Sequence, residues 1–299
     1  MLSSGKNDIM YKEGEGMNSS NKNFSSSDNC FSISDSKVTG YFSMPLKHFH
    51  DKFEIYYLIS GKRYYFIKDR TFLIKKGHLV FIGAGEPHKT SDADIPDHER
   101  ILVYFAREFV KMQNPSMDAV LELLEQKKYY VLSLTIKEQQ YVETIFNEMN
   151  MEAEKQLLGY EICLQGLLMK LLAFIARCTG DNDESSLVSH KPKHDKVSEI
   201  VQYINANYME ALSVPVISER FFTSQYYLSR IFKETTGFTL VEYINNVRVN
   251  EAKKLLSQTG LKAIQVAEET GFGSLAHFNR VFKAAAGCSP LNYRKLYQR

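Results

Sequence analysis

Leu228-Ser229-Arg230-Ile231-Phe232-Lys233 is the stretch that decides the fold, because it recurs fifty residues later as Phe278-Asn279-Arg280-Val281-Phe282-Lys283. The same offset relates Gly237 to Gly287 and Tyr243 to Tyr293. Self-similarity at a fixed spacing indicates one structural unit built twice. The last ninety or so residues are therefore predicted to contain two copies of one fold unit.

A short amphipathic pattern precedes each copy. It consists of Val214, Ile217, Ser218 and Phe221 in the first copy and of Ala263, Val266, Ala267 and Thr270 in the second. These positions are forty-nine residues apart, so the second copy has one extra residue in its turn. Two short helices joined by a tight turn indicate a helix-turn-helix.

The second helix of each copy is predicted to have one polar stripe and one apolar stripe. The outward residues are Tyr226, Ser229, Arg230 and Lys233 in the first copy and Ala276, Asn279, Arg280 and Lys283 in the second. The inward residues are Tyr227, Leu228, Ile231 and Phe232, then His277, Phe278, Val281 and Phe282. Ser224 and Ser274 stand at N-cap positions, where helix amides also suit a phosphate. A single polar stripe is usually only a solvated face, but its recurrence with Arg and Lys favours DNA, since a guanidinium matches a guanine edge.

Residues 212 to 299 resemble the DNA-binding domain of the AraC/XylS transcriptional regulators. The resemblance is carried by Gly271-Phe272, by the second repeat, by Gly287-Cys288-Ser289-Pro290 with Tyr293-Arg294, and by Glu242-Tyr243-Ile244-Asn245, Arg248 and Ala252-Lys253-Lys254-Leu255-Leu256. It implies two helix-turn-helix units joined by a central helix from about Leu240 to Ser257. One departure is Phe222, which stands in the first turn where the family usually has Gly.

The resemblance also implies which residues contact DNA. Base reading falls to Gln225, Tyr226, Ser229 and Arg230 in the first copy and to Leu275, Ala276, Asn279 and Arg280 in the second. Leu275 and Ala276 offer only apolar contact, for example with a thymine methyl group. Lys233 and Lys283 are assigned to phosphates, which position a protein without reading sequence.

Charge is unevenly distributed along the chain. The formal net charge is only +2. From residue 190 to the end, however, fifteen Lys plus Arg stand against nine Asp plus Glu, a net of +6, which leaves −4 for the rest. A basic surplus on the repeated domain is the electrostatic footprint that DNA binding requires.

The N-terminal half changes from low complexity to a strand period. Residues 1–35 are rich in Ser, Asn, Gly and Lys, which predicts disorder, and they lack the apolar core of a signal peptide, so we expect no export. Short aromatic and β-branched runs then follow at Phe53 to Ile59, Arg63 to Lys68, Thr71 to Ile74, Leu79 to Ile82 and His98 to Ala106. They predict a small antiparallel barrel or sandwich over residues 36–110.

A candidate ligand site lies within these strands. His48, His50 and Glu54 precede Gly61, and His88 follows Gly77 and Gly85; this spacing resembles the two cupin motifs. Such a site favours a small-molecule effector, a sugar for example, bound by some of His48, His50, Glu54, Tyr56 and His88. The alternative is a divalent metal held by His48, His50, Glu54 and His88.

Helical periodicity takes over after residue 110. Thr135-x-x-Glu138 is a capping box ahead of Tyr141, Val142, Ile145, Phe146 and Met149, and the segment Leu157 to Cys178 is apolar almost all round. It contains no uncharged apolar run long enough to span a membrane. A helix this apolar is expected to be buried against partners. Residues 111–178 resemble the helical segment that follows the barrel in related regulators, and the resemblance implies dimerisation through residues 136–176. A linker is predicted at 179–195.

The predicted fold class is α+β: a cupin-like antiparallel β-barrel with a helical dimerisation segment, then an all-α double helix-turn-helix domain at 196–299. The predicted function is that of a cytoplasmic, dimeric, one-component transcriptional regulator that is not an enzyme. Its partners would be double-stranded DNA, a small-molecule effector and, for an activator, RNA polymerase, with no membrane. The alternatives are a metal-dependent cupin enzyme with an accessory DNA-binding domain, and an interaction protein without an effector.

Overall fold

The computed structural model describes residues 21–40, 52–93, 96–110, 115–179, 187–189 and 191–297. The strands are β1 (Asn21–Ser25), β2 (Phe31–Val38), β3 (Phe53–Ser60), β4 (Lys62–Ile67), β5 (Arg70–Lys75), β6 (His78–Ile82), β7 (His88–Asp92), β8 (His98–Phe105) and β9 (Tyr129–Ser133). The helices are α1 (Arg107–Val110), α2 (Pro115–Lys127), α3 (Ile136–Lys155), α4 (Tyr160–Cys178), α5 (Pro192–Ala206), α6 (Val214–Arg220), α7 (Gln225–Thr236), α8 (Leu240–Gln258), α9 (Ala263–Glu269), α10 (Leu275–Ala286) and α11 (Pro290–Tyr297).

The N-terminal domain is built on two antiparallel sheets. Sheet A has the strand order β1-β2-β8-β3-β6-β9, and sheet B has the order β5-β4-β7. The predicted fold class is confirmed, with the strands arranged as two sheets that share an apolar core and not as one closed barrel. Gly61, with φ of +92°, connects β3 of sheet A to β4 of sheet B, where a Cβ atom would lie 2.5 Å from the carbonyl oxygen of Asp97. Only glycine fits so tight a crossing between sheets.

Two segments of regular structure escaped the sequence prediction. Disorder over residues 1–35 is wrong for residues 21–35, which form β1 and most of β2 in sheet A; residues 1–20 lie outside the described part. A strand that buries one face needs apolar residues only at alternate positions, and in β2 Phe31 and Ile33 supply them. The helical segment predicted from residue 111 likewise contains a strand, β9. This strand pairs with β6, and its residues Tyr129 to Leu132 are buried.

Sheet A separates two apolar cores. One face packs against the helices that follow it, and the other faces sheet B. The capping box is confirmed, since the Thr135 side chain accepts from the Glu138 amide and the Glu138 carboxylate accepts from the Thr135 amide. Among the described residues, no helix combines the length and apolar character that crossing a bilayer would require.

The predicted linker at 179–195 is shorter in the structure. The Ser189 amide donates to the carbonyl of Thr71 at 2.7 Å, so this segment lies against β5. Helix α5 then begins at Pro192, four residues before the predicted boundary at 196, because proline fits the first turn of a helix. The C-terminal domain therefore starts close to the surface of sheet B.

The C-terminal domain contains the two predicted helix-turn-helix units. The first is α6 with α7 and the second is α9 with α10; helix α8 joins them and agrees with the predicted central helix to within one residue. Each unit has its own apolar core. Arg248 of α8 ties the units together. Its buried guanidinium donates to the carbonyls of Tyr208 at 2.8 Å and of Glu210 at 2.7 Å, ahead of α6, and its Cζ atom lies 5.8 Å from the ring centroid of Phe272 in the second unit.

Candidate nucleic-acid interface and ligand site

Helix α7 presents a polar stripe to solvent. Its N-cap is Ser224, whose hydroxyl accepts from the Tyr227 amide at 3.2 Å. Leu228, Ile231 and Phe232 are buried beneath the helix. The exposed residues are those predicted from the sequence: Ser224, Gln225, Tyr226, Ser229, Arg230 and Lys233.

Helix α10 repeats this arrangement in the second unit. The Ser274 hydroxyl caps it by accepting from the His277 amide at 3.3 Å, and Phe278 and Phe282 are buried beneath it. The exposed residues are again the predicted set: Ser274, Leu275, Ala276, Asn279, Arg280 and Lys283. We call the two exposed sets the reading stripes.

One residue of the predicted inward face is not inward. The Tyr227 side chain is 40% exposed, and the Arg230 guanidinium carbon lies 5.8 Å from its ring centroid. A tyrosine at a helix edge can bury its ring against a neighbour and keep its hydroxyl in water. Tyr227 thus supports Arg230 from the side and does not belong to the apolar core.

The two turns begin in the same way in spite of their different residues, and the second turn is then one residue longer. In the first, the Thr223 amide donates to the carbonyl of Ser218 at 2.9 Å; in the second, the Phe272 amide donates to that of Ala267 at 2.9 Å. Phe222 has φ of +51° and Gly271, its counterpart, has φ of +77°. Phe222 therefore holds the left-handed conformation that glycine adopts without strain. The departure from the family pattern leaves the backbone conformation at this position left-handed.

The candidate ligand site lies between the two sheets of the N-terminal domain. Glu54 of β3 faces His88 of β7, with 3.1 Å between the Oε2 and Nε2 atoms. The Tyr65 hydroxyl donates to the other carboxylate oxygen of Glu54, and the Nδ1 atom of His88 lies 2.8 Å from the Glu86 carbonyl. Burial opposes the charged form of His88, but the Glu54 carboxylate and these hydrogen bonds raise its pKa on balance.

The other residues predicted for this site have different outcomes. Tyr56 is buried, with its ring centroid 5.2 Å from that of Tyr65. His48 and His50 lie outside the described residues, so the four-ligand metal hypothesis is untested. Within the ranges that the structure covers, no group of three or more His, Cys, Asp or Glu side chains is arranged as a metal site.

Sequence reasoning missed the arginines of the same interior. Arg63 of β4 and Arg100 of β8 are both fully buried, and Arg63 pairs with Asp92. The Arg100 guanidinium carbon lies 6.0 Å from the Tyr56 ring centroid. The sequence contains a signal for them, because alternate residues of a strand share a face. Arg63 therefore lies on the face of Tyr65, and Arg100 lies on the face of His98.

The outer face of sheet B contacts the first helix-turn-helix unit. Lys89 of β7 donates to the carbonyl oxygens of Glu234 at 2.7 Å and Lys233 at 3.4 Å, in the last turn of α7. Phe66 of β4 is part of the apolar core under α7. The Tyr243 hydroxyl of α8 donates to the Lys68 carbonyl at 3.1 Å. An ammonium at the carbonyl end of a helix is favourable because the helix dipole is negative there.

Comparison with known proteins agrees with this two-domain arrangement. The chain matches the AraC-like ligand binding domain over residues 41–172 and a helix-turn-helix domain over residues 217–296. The melibiose operon regulatory protein of Escherichia coli (strain K12) is 26% identical over 263 residues, which cover 85% of each chain. The uncharacterized HTH-type transcriptional regulator YfiF of Bacillus subtilis (strain 168) is 25% identical over 265 residues, 85% of this chain and 80% of that one.

A solved structure with similar coverage is ToxT from Vibrio cholerae O395. It is 14% identical, with 90% of this chain and 98% of that chain covered and a TM-score of 0.35. The family matches, the curated relatives and the two helix-turn-helix units lead to one assignment. The chain belongs to the AraC family of transcriptional regulators, with an N-terminal ligand-binding domain and a C-terminal helix-turn-helix DNA-binding domain.

Proposed function

We propose that this regulator is a one-component switch in which a small molecule, bound between sheets A and B, changes how the two reading stripes engage an operator. The observation that carries the proposal is the matched exposure of Arg230 and Arg280 on two helices of the same fold unit. Arginine is the side chain best suited to a guanine edge in the major groove. Lys233 and Lys283 would contact phosphates at the far end of each stripe.

The experiment is a footprint of the purified full chain on the DNA upstream of its own gene. We expect each subunit to protect two major-groove segments about 10–10.5 base pairs apart on one face of the duplex. An unrelated duplex of equal length and composition serves as the control. Protection of one segment only, or equal protection of both duplexes, would contradict double reading.

A homodimer is the proposed active form. Large apolar side chains are exposed around the junction of α3 and α4, where a second copy would cover them. They are Met151, Leu157, Leu158 and Ile162. The wild-type protein should sediment as a dimer at micromolar concentration, and Ile162→Glu should sediment as a monomer. Glu148→Lys, at an exposed position of α3, is the control and should leave the dimer intact. A wild-type monomer with and without DNA would refute this part.

The coupling between ligand and DNA would pass through sheet B. His88 and Lys89 are neighbours on β7, and their side chains point to opposite faces of the strand. His88 lies in the candidate ligand site, where it contacts Glu54, and Lys89 contacts the end of α7. A ligand that displaces His88 would therefore shift the contact that holds the first unit.

This coupling predicts a local effect of removing Lys89. In the full chain, Lys89→Ala should speed amide hydrogen exchange in the last turn of α7 and leave α10 unchanged. Lys62→Ala, an exposed lysine on the adjacent strand, is the matched control. Unchanged exchange in α7 would show that the Lys89 contact does not restrain the first unit.

The remaining parts of the proposal follow from DNA as the target. The protein would act in the cytoplasm, would contact RNA polymerase if it activates transcription, and would catalyse no reaction. The proposed ligand is a small molecule, for example a sugar. A resident divalent metal is the rival use of Glu54 and His88, and metal analysis of the purified protein would test it.

A further inference from the structure

The inner face of sheet A is polar at one end. Ser36 of β2 lies opposite Arg100 of β8, and His98 lies two residues before Arg100 on the same face. The Ser36 side chain is 1% exposed, and its hydroxyl has no hydrogen-bond partner among the described residues. A buried hydroxyl without a partner costs free energy, so such a group is rare unless something outside the chain satisfies it.

Sheet B has a matching polar end. Arg63 of β4 lies opposite Asp92 of β7, and Tyr65 lies opposite Thr90. The Thr90 hydroxyl is also buried and has no hydrogen-bond partner within the described part of the chain. The contact of Tyr56 with both Arg100 and Tyr65 places the two polar ends against each other.

Two arginines oppose a positive charge on His98, although the Asp97 carboxylate favours it. Burial lowers the pKa of His98 to about 3, with further lowering by the charges of Arg63 and Arg100. The imidazole is therefore neutral at physiological pH, and a neutral imidazole can donate one hydrogen bond and accept another. A guanidinium binds a carboxylate with two parallel hydrogen bonds, which makes arginine the usual partner of that group.

We infer that the ligand of this domain is a small hydroxylated carboxylate, such as a sugar acid. Its acid group would lie between Arg63 and Arg100, and its hydroxyls would pair with Ser36 and Thr90. The inference rests on the proposed ligand-binding role and narrows the ligand from a small molecule such as a sugar to a hydroxylated carboxylate.

The test measures the melting temperature of the full chain at constant ionic strength. Each acid is compared with an analogue of similar size that lacks the carboxylate. Sodium galacturonate and sodium glycolate should each raise the melting temperature above the value in sodium chloride. Galactose and ethylene glycol, which lack the carboxylate, should raise it less. The chain has no tryptophan, so unfolding is best followed by circular dichroism or a dye.

Variants separate binding from folding. Arg100→Gln should weaken galacturonate binding at least about tenfold, Arg100→Lys should restore part of it, and Arg70→Gln, at an exposed arginine of β5, should leave it unchanged. Ser36→Ala should weaken the response to galacturonate while the ligand-free melting temperature stays equal or rises, because the variant removes a buried hydroxyl that lacks a partner. If Ser36 had a purely structural role, Ser36→Ala would lower both the response to galacturonate and the ligand-free melting temperature.

Two results would overturn the inference. One is a melting temperature that galacturonate and glycolate leave at the chloride value; the other is stabilisation by them that persists in Arg100→Gln. If galactose stabilises the protein and the acids do not, the acidic class is wrong but ligand binding by this domain stands. Loss of the DNA footprint would instead count against the proposed function.

Discussion

The two helix-turn-helix units have the same helix arrangement and differ in what supports them. The core of the first unit includes Phe66 from the N-terminal domain, and Lys89 contacts the end of its second helix. The core of the second unit consists of C-terminal residues alone. We therefore expect the N-terminal domain to influence DNA binding mainly through the first unit. The second unit would then hold the duplex in the same way with or without ligand.

The largest expected effect tests whether the two cores are separate. Phe232→Ala and Phe282→Ala should each lower the free energy of unfolding by about 3–5 kcal/mol, because each removes a fully buried ring. The loss of unfolding free energy in the double variant Phe66→Ala/Phe232→Ala should differ from the sum of the two single losses, whereas the losses of Phe66→Ala and Phe282→Ala should add. Urea denaturation of the single and double variants measures this. Equal coupling of Phe66 to both rings would remove the distinction between the units.

The turns provide the next comparison. Gly271→Ala should destabilise the second unit by about 1–3 kcal/mol, because φ is positive and the new Cβ would lie 2.7 Å from the Tyr208 carbonyl oxygen. Phe222→Gly should stabilise the first unit by less than about 1 kcal/mol, since relief of the left-handed backbone is offset by a more flexible unfolded chain. Thermal unfolding of both variants is the measurement. A loss of stability in Phe222→Gly would mean that its exposed ring has a packing role.

Acid should loosen the first unit before the second. Burial, aided by Lys193 and Lys191, lowers the pKa of His194 in α5 to about 4 from 6.5. The neutral form is favoured in the folded state, so this stabilisation is complete above pH 6.5 and is lost as pH falls towards 4. The loss at pH 5 should be on the order of 1 kcal/mol. Amide exchange should therefore rise in α7 earlier than in α10, and His194→Gln should reduce that difference.

Repetition made the C-terminal domain predictable from sequence. An internal repeat constrains helix type, helix faces and turns at once, so the exposed Arg230 and Arg280 were found with their neighbours. The helix edge was the weak point, because the inward assignment of Tyr227 depends on a rotation of a few tens of degrees. Phe222 was also ambiguous, since no local rule states that a phenylalanine will adopt a positive φ.

The N-terminal domain was less predictable because its contacts are distant in sequence. Ser36, Arg63 and Arg100 meet only through the pairing of β2 with β8 and the packing of two sheets. Strand β1 has a composition that fits a loop, and only its pairing with β2 fixes it. Strand β9 has the aromatic and β-branched residues of a strand but lies between two helical segments, where helical periodicity dominates the pattern. Glu54 and His88 were found because a motif relates them, and the arginines beside them belong to no such motif.

The most direct test of the central claim compares Arg230→Ala with Arg280→Ala on the footprinted site and on random DNA. If both stripes read sequence, each variant should lose about 1–3 kcal/mol of binding free energy on the specific site and less on random DNA. Lys283→Ala should weaken binding to both duplexes and reduce the salt dependence by about one unit of slope. Equal losses on specific and random DNA for both arginines would contradict sequence reading by the two helices.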